Sequence, residues 1–209
     1  MKETQNIFDG MLSPNLSGKS ILDLCCGYGE NCAEFSMRGA KNVIGIDISQ
    51  EVLDIARYEN PTIEFICMDM NDLSSLDDKF DIIFCSLAMH YFKNFKHLAT
   101  SAHRLLNNGG CFIFSQEHPQ TMASFWDSLQ KDEADGFIFQ HIETHYAVDG
   151  EEKTRVVTNN RSRYRRTLPD LSNILNECGF TIEKVAESIP SEETSRSEPD
   201  FLLVKAKKE

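Results

Sequence analysis

Two glycines and one carboxylate are the most chemically informative residues of this 209-residue chain. Gly27 and Gly29 close the run Ile21-Leu22-Asp23-Leu24-Cys25-Cys26-Gly27-Tyr28-Gly29-Glu30, an apolar stretch that ends in a Gly-x-Gly turn. Such a turn lets backbone come close to a ligand, because side chains at the two glycine positions would obstruct the approach. A second apolar run, Asn42-Val43-Ile44-Gly45-Ile46, delivers Asp47 about twenty residues further on, where a carboxylate can accept from both hydroxyls of a ribose. The two runs together predict a site for an adenosine-containing ligand.

The chemistry of the turn narrows the ligand. A dinucleotide site needs a third glycine three residues after the second, so that a helix packs closely on the strand while its N-terminus faces a pyrophosphate. That position is Cys32, and Asp23 and Glu30 place negative charge on either side of the turn. Negative charge disfavours a pyrophosphate but tolerates a cationic sulfonium that carries an amino group. The residues therefore favour S-adenosylmethionine over NAD, with an NAD-dependent oxidoreductase as the weaker alternative.

Five segments stand in order along nearly the whole chain: Asp23 to Gly29, Val43 to Asp47, Phe65 to Asp69, Phe80 to Tyr91, and Leu105 to Gly110 followed by Cys111 to Phe114. Together they resemble the motifs of class I S-adenosylmethionine-dependent methyltransferases of the small-molecule type, the ubiquinone/menaquinone methyltransferase-like group. One position departs from the pattern, since Cys25 stands where that family usually has glycine. The resemblance implies a Rossmann-like α/β fold, with a mostly parallel seven-stranded sheet, an antiparallel last strand and an inserted β-hairpin before the C-terminal helix. It implies S-adenosyl-L-methionine as cofactor, with Gly27 and Gly29 beside the methionyl part and Asp47 at the ribose. Asp69 would face the adenine amino group and the backbone of Met70 the ring. Ser86 and Leu87 would lie next to the transferring methyl, and Asp23, Cys25 and Ile48 complete the expected cofactor site.

Methyl transfer from a sulfonium is an in-line displacement that the cofactor has already activated, so the protein supplies orientation and deprotonation of the acceptor. The absence of a catalytic triad is consistent with this. Four candidates for that work follow the fourth and fifth strand-like runs: His90 and Tyr91, then Glu117 and His118. The segment Ser115-Gln116-Glu117-His118-Pro119 resembles the Glu-His-Pro signature of one branch of the family. A carboxylate after a buried strand needs a partner, and an acceptor amine or hydroxyl would supply one. A histidine in a polar loop is also commonly a packed or hydrogen-bonded residue, which keeps a structural role open for His90 and His118. The expected reaction is methyl transfer to N, O or C of a small metabolite. Binding of S-adenosylmethionine without turnover, by a regulator or assembly partner, is the alternative, because fold alone does not fix function.

The elements that must hold these residues are legible as alternating patterns. Strand-like runs at 20–24, 42–47, 63–68, 80–86 and 110–115 alternate with helix-like segments at 30–38, 50–59 and 95–106, the signature of right-handed crossovers and a parallel sheet. Ser49 is the expected N-cap before Gln50, and Pro61 marks the exit of that helix. Further on, 169–178 reads as a helix stopped by Gly179, and 180–188 and 201–207 as two strands. Residues 120–166 read as an insertion or cap within one domain spanning 1–209. It holds a helix-like segment at 122–131 and two strands flanking Asp149-Gly150, a strong hairpin turn signal. With only the short segment 5–12 ahead of the first strand, either the acceptor pocket is unusually open, or the inserted hairpin and a second subunit close it, and the second reading implies a homodimer.

Composition limits the remaining options. The net charge of −12 disfavours nucleic acid, whose binding depends on Lys and Arg neutralising phosphates. No apolar run is long enough to cross a bilayer and no secretory pattern opens the chain, so a cytoplasmic location is expected. Seven cysteines, several inside apolar runs, read as reduced thiols, and their spacing is poor for a metal. Arg161-Ser162-Arg163-Tyr164-Arg165-Arg166 is the one basic cluster. Strand periodicity places Arg161, Arg163 and Arg165 on one face, either a solvated edge or a clamp for an anionic group of the acceptor.

Overall fold

The computed structural model describes residues 8, 10–120, 140–148, 151–159, 164–188 and 199–209. The elements run β1 (Ser20–Leu24), α1 (Glu30–Met37), β2 (Asn42–Asp47), α2 (Gln50–Glu59), β3 (Glu64–Cys67), β4 (Phe80–Cys85), α3 (Phe95–Leu105) and β5 (Leu106–Glu117). They continue with β6 (Gln140–Val148), β7 (Glu151–Asn159), α4 (Leu168–Glu177), β8 (Phe180–Glu187) and β9 (Phe201–Lys208). Seven strands form one sheet in the order β3-β2-β1-β4-β5-β9-β8, and β6 and β7 form a separate two-stranded antiparallel sheet. The pairs from β3 to β5 are parallel, while β9 runs antiparallel to both β5 and β8. The expected Rossmann-like methyltransferase fold, the antiparallel last strand and the hairpin before the C-terminal helix are all present. The expected helix at 122–131, the Asp149-Gly150 turn, Arg161 and Arg163 lie outside the described residues.

The strands read as continuous apolar runs because both faces of the sheet are covered. Leu22, Leu24, Ile44, Ile46, Phe112 and Phe114 pack on one side with α3 and α4. Ile21, Val43, Phe84 and Ile113 pack on the other with Phe35 of α1, Leu53 and Ala56 of α2, and Phe8, Met11 and Leu12 ahead of β1. Local signals set the helix starts. The Ser49 hydroxyl accepts the Val52 N–H at 3.3 Å, and Thr167 and Asp170 form a reciprocal capping box at the start of α4.

β5 begins four residues earlier than its sequence pattern predicts. Leu106 pairs with Phe80 and Cys111 with Ile82, so 107–110 bulge out between the two pairings. A Cβ on Gly110 would lie 2.9 Å from the Asn107 carbonyl oxygen, which is why the bulge requires glycine there.

The two glycines of the turn have different reasons. Both have positive φ, 57° at Gly27 and 80° at Gly29. Space is open where a Cβ of Gly27 would stand, whereas at Gly29 it would come within 2.6 Å of the Phe65 ring. The same ring lies 2.8 Å from a Cβ built on Gly45, so Phe65 fills a slot that two glycines leave open. At Gly29 the side-chain position is thus taken by a neighbouring ring, which is a packing reason for glycine there. Gly29→Ala should cost about 1–3 kcal/mol through overpacking, with the left-handed backbone adding strain. Gly27→Ala should cost less; equal urea midpoints for the two variants would contradict the packing difference.

Candidate functional site

The strand order reverses between β1 and β4, and α/β sheets bind ligands outside the carboxyl ends of the strands at such a point. A cavity of about 410 Å³ opens there, lined by Cys25 after β1, Asp47 and Ile48 at the end of β2, Met68 to Asn71 after β3, and Ser86 to Ala88 with Tyr91 and Phe92 after β4. That volume lies within the range of about 300–1,000 Å³ common to small-molecule sites. Eight of the expected cofactor residues sit at or beside this point: Cys25, Asp47, Ile48, Asp69, Met70, Ser86 and Leu87 line the cavity, and Gly27 is bound to Asp47. Met68, Asn71, Ala88 and Phe92 line it too and escaped sequence reasoning, because nothing in their residue types marks a site.

Hydrogen bonds hold the two lining carboxylates. Asp47 Oδ2 accepts the Gly27 N–H at 3.1 Å and Oδ1 the Ser49 N–H at 3.0 Å, so one side chain ties the turn after β1 to the cap of α2. Asp69 Oδ1 accepts from both the backbone and the side-chain nitrogen of Asn71, each at 2.8 Å. Each Asp47 oxygen retains a further lone pair and Asp69 retains the two of Oδ2, since a carboxylate offers about four acceptor directions in all.

Two non-glycine residues at the cavity hold left-handed backbones, Cys25 with φ 56° and Leu87 with φ 55°. The first explains why the resembled motif usually has glycine at that position. At the second, the Leu87 N–H donates to the buried Ser115 hydroxyl at 2.8 Å, which fixes the turn. Strain of this kind, held by its surroundings, recurs at ligand sites.

Asp23 lies behind the cavity, 1% exposed. Its Oδ2 accepts from the Cys32 thiol at 3.3 Å, while Oδ1 is buried with no partner among the described residues. Burial is the main cause that raises its carboxyl from the ordinary 3.8 to about 7, with the Cys32 bond opposing and the charge of Asp47 adding. The hydrogen bond with Cys26, and then burial, keep Cys32 a thiol. Thus the residue at the dinucleotide glycine position is a buried donor to Asp23. An unpartnered carboxylate oxygen beside a cavity rimmed by two further carboxylates suits a cationic ligand.

The four acceptor-side candidates separate. Tyr91 lines the cavity. His90 is buried beneath it, ring centroids 4.1 Å apart, and its Nδ1 accepts the Glu117 N–H at 3.4 Å. That contact assigns the ring proton to Nε2, which faces Glu117 Oε1 at 3.8 Å. Glu117 is partly exposed, its side chain 21% accessible. His118 has other contacts: Nε2 lies 3.3 Å from Glu187 of β8 and Nδ1 accepts the Gln120 N–H at 3.3 Å. The structure therefore brings His90, Tyr91 and Glu117 together and gives His118 a tie to the far edge of the sheet.

The basic cluster also divides. Arg165 Nε donates to the Pro119 carbonyl at 2.9 Å, whereas Arg166 is buried and bonded to carbonyls of the turn after β4. Burial within that turn was not legible from the sequence, which marks Arg166 only as the last residue of the basic run. Among the described residues no group of His, Cys, Asp or Glu is arranged to hold a metal, and no helix is long and apolar enough to cross a membrane.

Comparison with known proteins bears directly on this geometry. A family model described as a methyltransferase domain matches residues 21–110. An uncharacterised protein of Haemophilus influenzae is 30% identical, over 94% of this chain and 84% of its own length. An uncharacterised methyltransferase of Synechocystis is also 30% identical, over 79% of this chain and 68% of its own. Among solved structures, an S-adenosylmethionine-dependent methyltransferase from Mesorhizobium loti superposes with a TM-score of 0.73 at 27% identity, covering 97% of this chain and 96% of that one.

Proposed function

The chain belongs to the class I S-adenosylmethionine-dependent methyltransferases, and on that premise we propose that it transfers a methyl group to N, O or C of a small metabolite at the cavity between β1 and β4. The observation that carries this reading is the set of three carboxylates at the strand ends, two lining the cavity and one buried behind it with an unpartnered oxygen. When bound, S-adenosylmethionine supplies a methyl group already activated on a sulfonium centre.

The chain's own residues then hold and orient. Asp47, fixed by two backbone N–H groups, accepts from the ribose hydroxyls, with Ile48 against the same part of the ligand. Asp69 and the backbone of Met70 meet the adenine edge. Gly27, Cys25 and Asp23 receive the methionyl end, where the charge of its amino group complements Asp23. Ser86 and Leu87 border the reacting methyl. Gly29 serves the site indirectly, by keeping Phe65 packed under the turn. On the acceptor side Glu117 takes the proton, His90 orients it through Nε2–H, and Tyr91 bounds the cavity.

Calorimetry with S-adenosylmethionine, S-adenosylhomocysteine and NAD tests the cofactor assignment, and turnover on a metabolite panel tests the transfer. Asp23 adds a pH signature. A raised carboxyl pKa means that the folded protein holds this proton more tightly than the unfolded chain does. Its contribution to stability is thus full below about pH 3.8 and lost as pH rises through about 7. A ligand ammonium group beside Asp23 favours the ionised form, so S-adenosylhomocysteine affinity should rise with pH up to about 7 and fall by up to about tenfold per unit below it. Asp23→Asn should flatten that slope. A pH-independent affinity in the unsubstituted protein would remove Asp23 from the cofactor site, and tight NAD binding without S-adenosylhomocysteine binding would overturn the cofactor assignment.

A further inference from the structure

Arg166 is the last residue of the basic run and stands directly before Thr167, the N-cap of α4. It is 8% exposed. Its guanidinium spreads beneath the turn that follows β4: Nη1 donates to the Met89 carbonyl at 3.1 Å, and Nη2 to the carbonyls of Phe92 and, at 3.0 Å, Lys93. The guanidinium carbon lies 5.5 Å from the Phe95 ring centroid and 5.8 Å from that of Tyr164. Neighbouring bonds join the same pieces of chain. The Tyr164 N–H donates to the His90 carbonyl at 2.7 Å, and Gln116 Nε2 donates to the Arg166 carbonyl at 2.8 Å.

A buried charge carries a desolvation cost, and an apolar side chain of similar volume would fill this space without it. Burial lowers the guanidinium to about 10, which still leaves it charged at neutral pH. What an apolar residue cannot supply is a planar fork of donors for carbonyls that converge from one short turn. That turn carries Ala88, Tyr91 and Phe92, three residues of the cavity wall, and the histidine that faces Glu117.

We propose that Arg166 is a positioning residue of the methyl-transfer site, whose guanidinium fork fixes the cavity wall at residues 88–93 and so ties the segment after the β6–β7 hairpin to the shape of the cofactor cavity. The proposal rests on the cofactor assignment made above. It makes the last member of the basic cluster an internal brace, with Arg165, bonded to the Pro119 carbonyl, bracing the chain just past β5 beside it.

The test is calorimetric binding of S-adenosylhomocysteine to the full chain and to Arg166→Met and Arg166→Lys, with thermal midpoints recorded alongside. Arg166→Met keeps an unbranched side chain and removes the fork; Arg166→Lys keeps the charge as a point and cannot reach the carbonyls with fork geometry. Both should bind at least about tenfold more weakly, since small misplacements of a site wall are costly. Leu175→Ala, in the buried face of α4 and outside the cavity lining, controls for lost stability and should bind within about twofold of the unsubstituted protein. In Arg166→Ala, millimolar guanidinium ion should restore affinity where sodium does not. Should Arg166→Met fail to fold, Arg166→Lys decides. Unchanged affinity in a folded Arg166 variant, or an equal loss in Leu175→Ala, would remove this proposal alone. Absence of S-adenosylhomocysteine binding by the unsubstituted protein would remove the cofactor assignment and this proposal with it.

Discussion

Replacing Asp47 with alanine is expected to weaken S-adenosylhomocysteine binding by about 1.5–3 kcal/mol, the range for a hydrogen bond to a charged group. That corresponds to roughly ten- to a hundredfold in dissociation constant. The size follows from how the carboxylate is held. The Gly27 and Ser49 N–H groups take one direction on each oxygen and orient the group before any ligand arrives. On the proposed ribose assignment, substitution removes the acceptors for two hydroxyls, and it also unties the turn after β1 from the cap of α2. Asp47→Asn keeps one oxygen acceptor and should fall between alanine and the unsubstituted protein. Normal affinity in a folded Asp47→Ala variant would remove the ribose assignment while leaving the family membership untouched.

The parts of this site that were legible in the sequence are those fixed by strand ends. Apolar runs locate β1, β2, β3 and β4 within a residue or two, and in a parallel sheet their carboxyl ends must converge, so Asp47 follows from pattern and order, while Cys25, Asp69, Ser86 and Leu87 came from the family resemblance that those strand ends carry. The parts that were not legible depend on partners distant along the chain. That the side-chain position of Gly29 is taken by the ring of Phe65 is a packing fact that no local signal reveals. His90 and His118 look alike as residues just past strand ends, yet one faces Glu117 and the other Glu187 of β8. Arg166 is indistinguishable from its neighbours as a charge in a run. Its burial comes from α3 and from the turn after β4, elements separated from it by the whole insertion. The early start of β5 likewise reflects a bulge against β4, which strand periodicity does not encode.

Replacing Glu117 with glutamine is expected to lower turnover by at least about tenfold, with general-base effects commonly reaching a hundredfold or more. The substitution keeps size, removes the charge and replaces one accepting oxygen by a donating NH2. Position favours this residue over its neighbours. It ends β5, is partly exposed, and has the buried His90 ring behind it with Nε2–H toward its carboxylate. At 3.8 Å that contact is longer than a hydrogen bond. Catalytic contacts are often long before ligands bind and tighten in the reacting complex. His90 is thus expected to act through Glu117, so that His90→Gln lowers turnover less than Glu117→Gln, and the double variant no more than Glu117→Gln alone. S-adenosylhomocysteine affinity should stay near that of the unsubstituted protein in Glu117→Gln, since none of the cofactor contacts assigned above uses it. Normal turnover of Glu117→Gln on the acceptor identified from the panel would make the carboxylate structural. The acceptor would then lose its proton to solvent, or would carry none at the reacting atom when it binds.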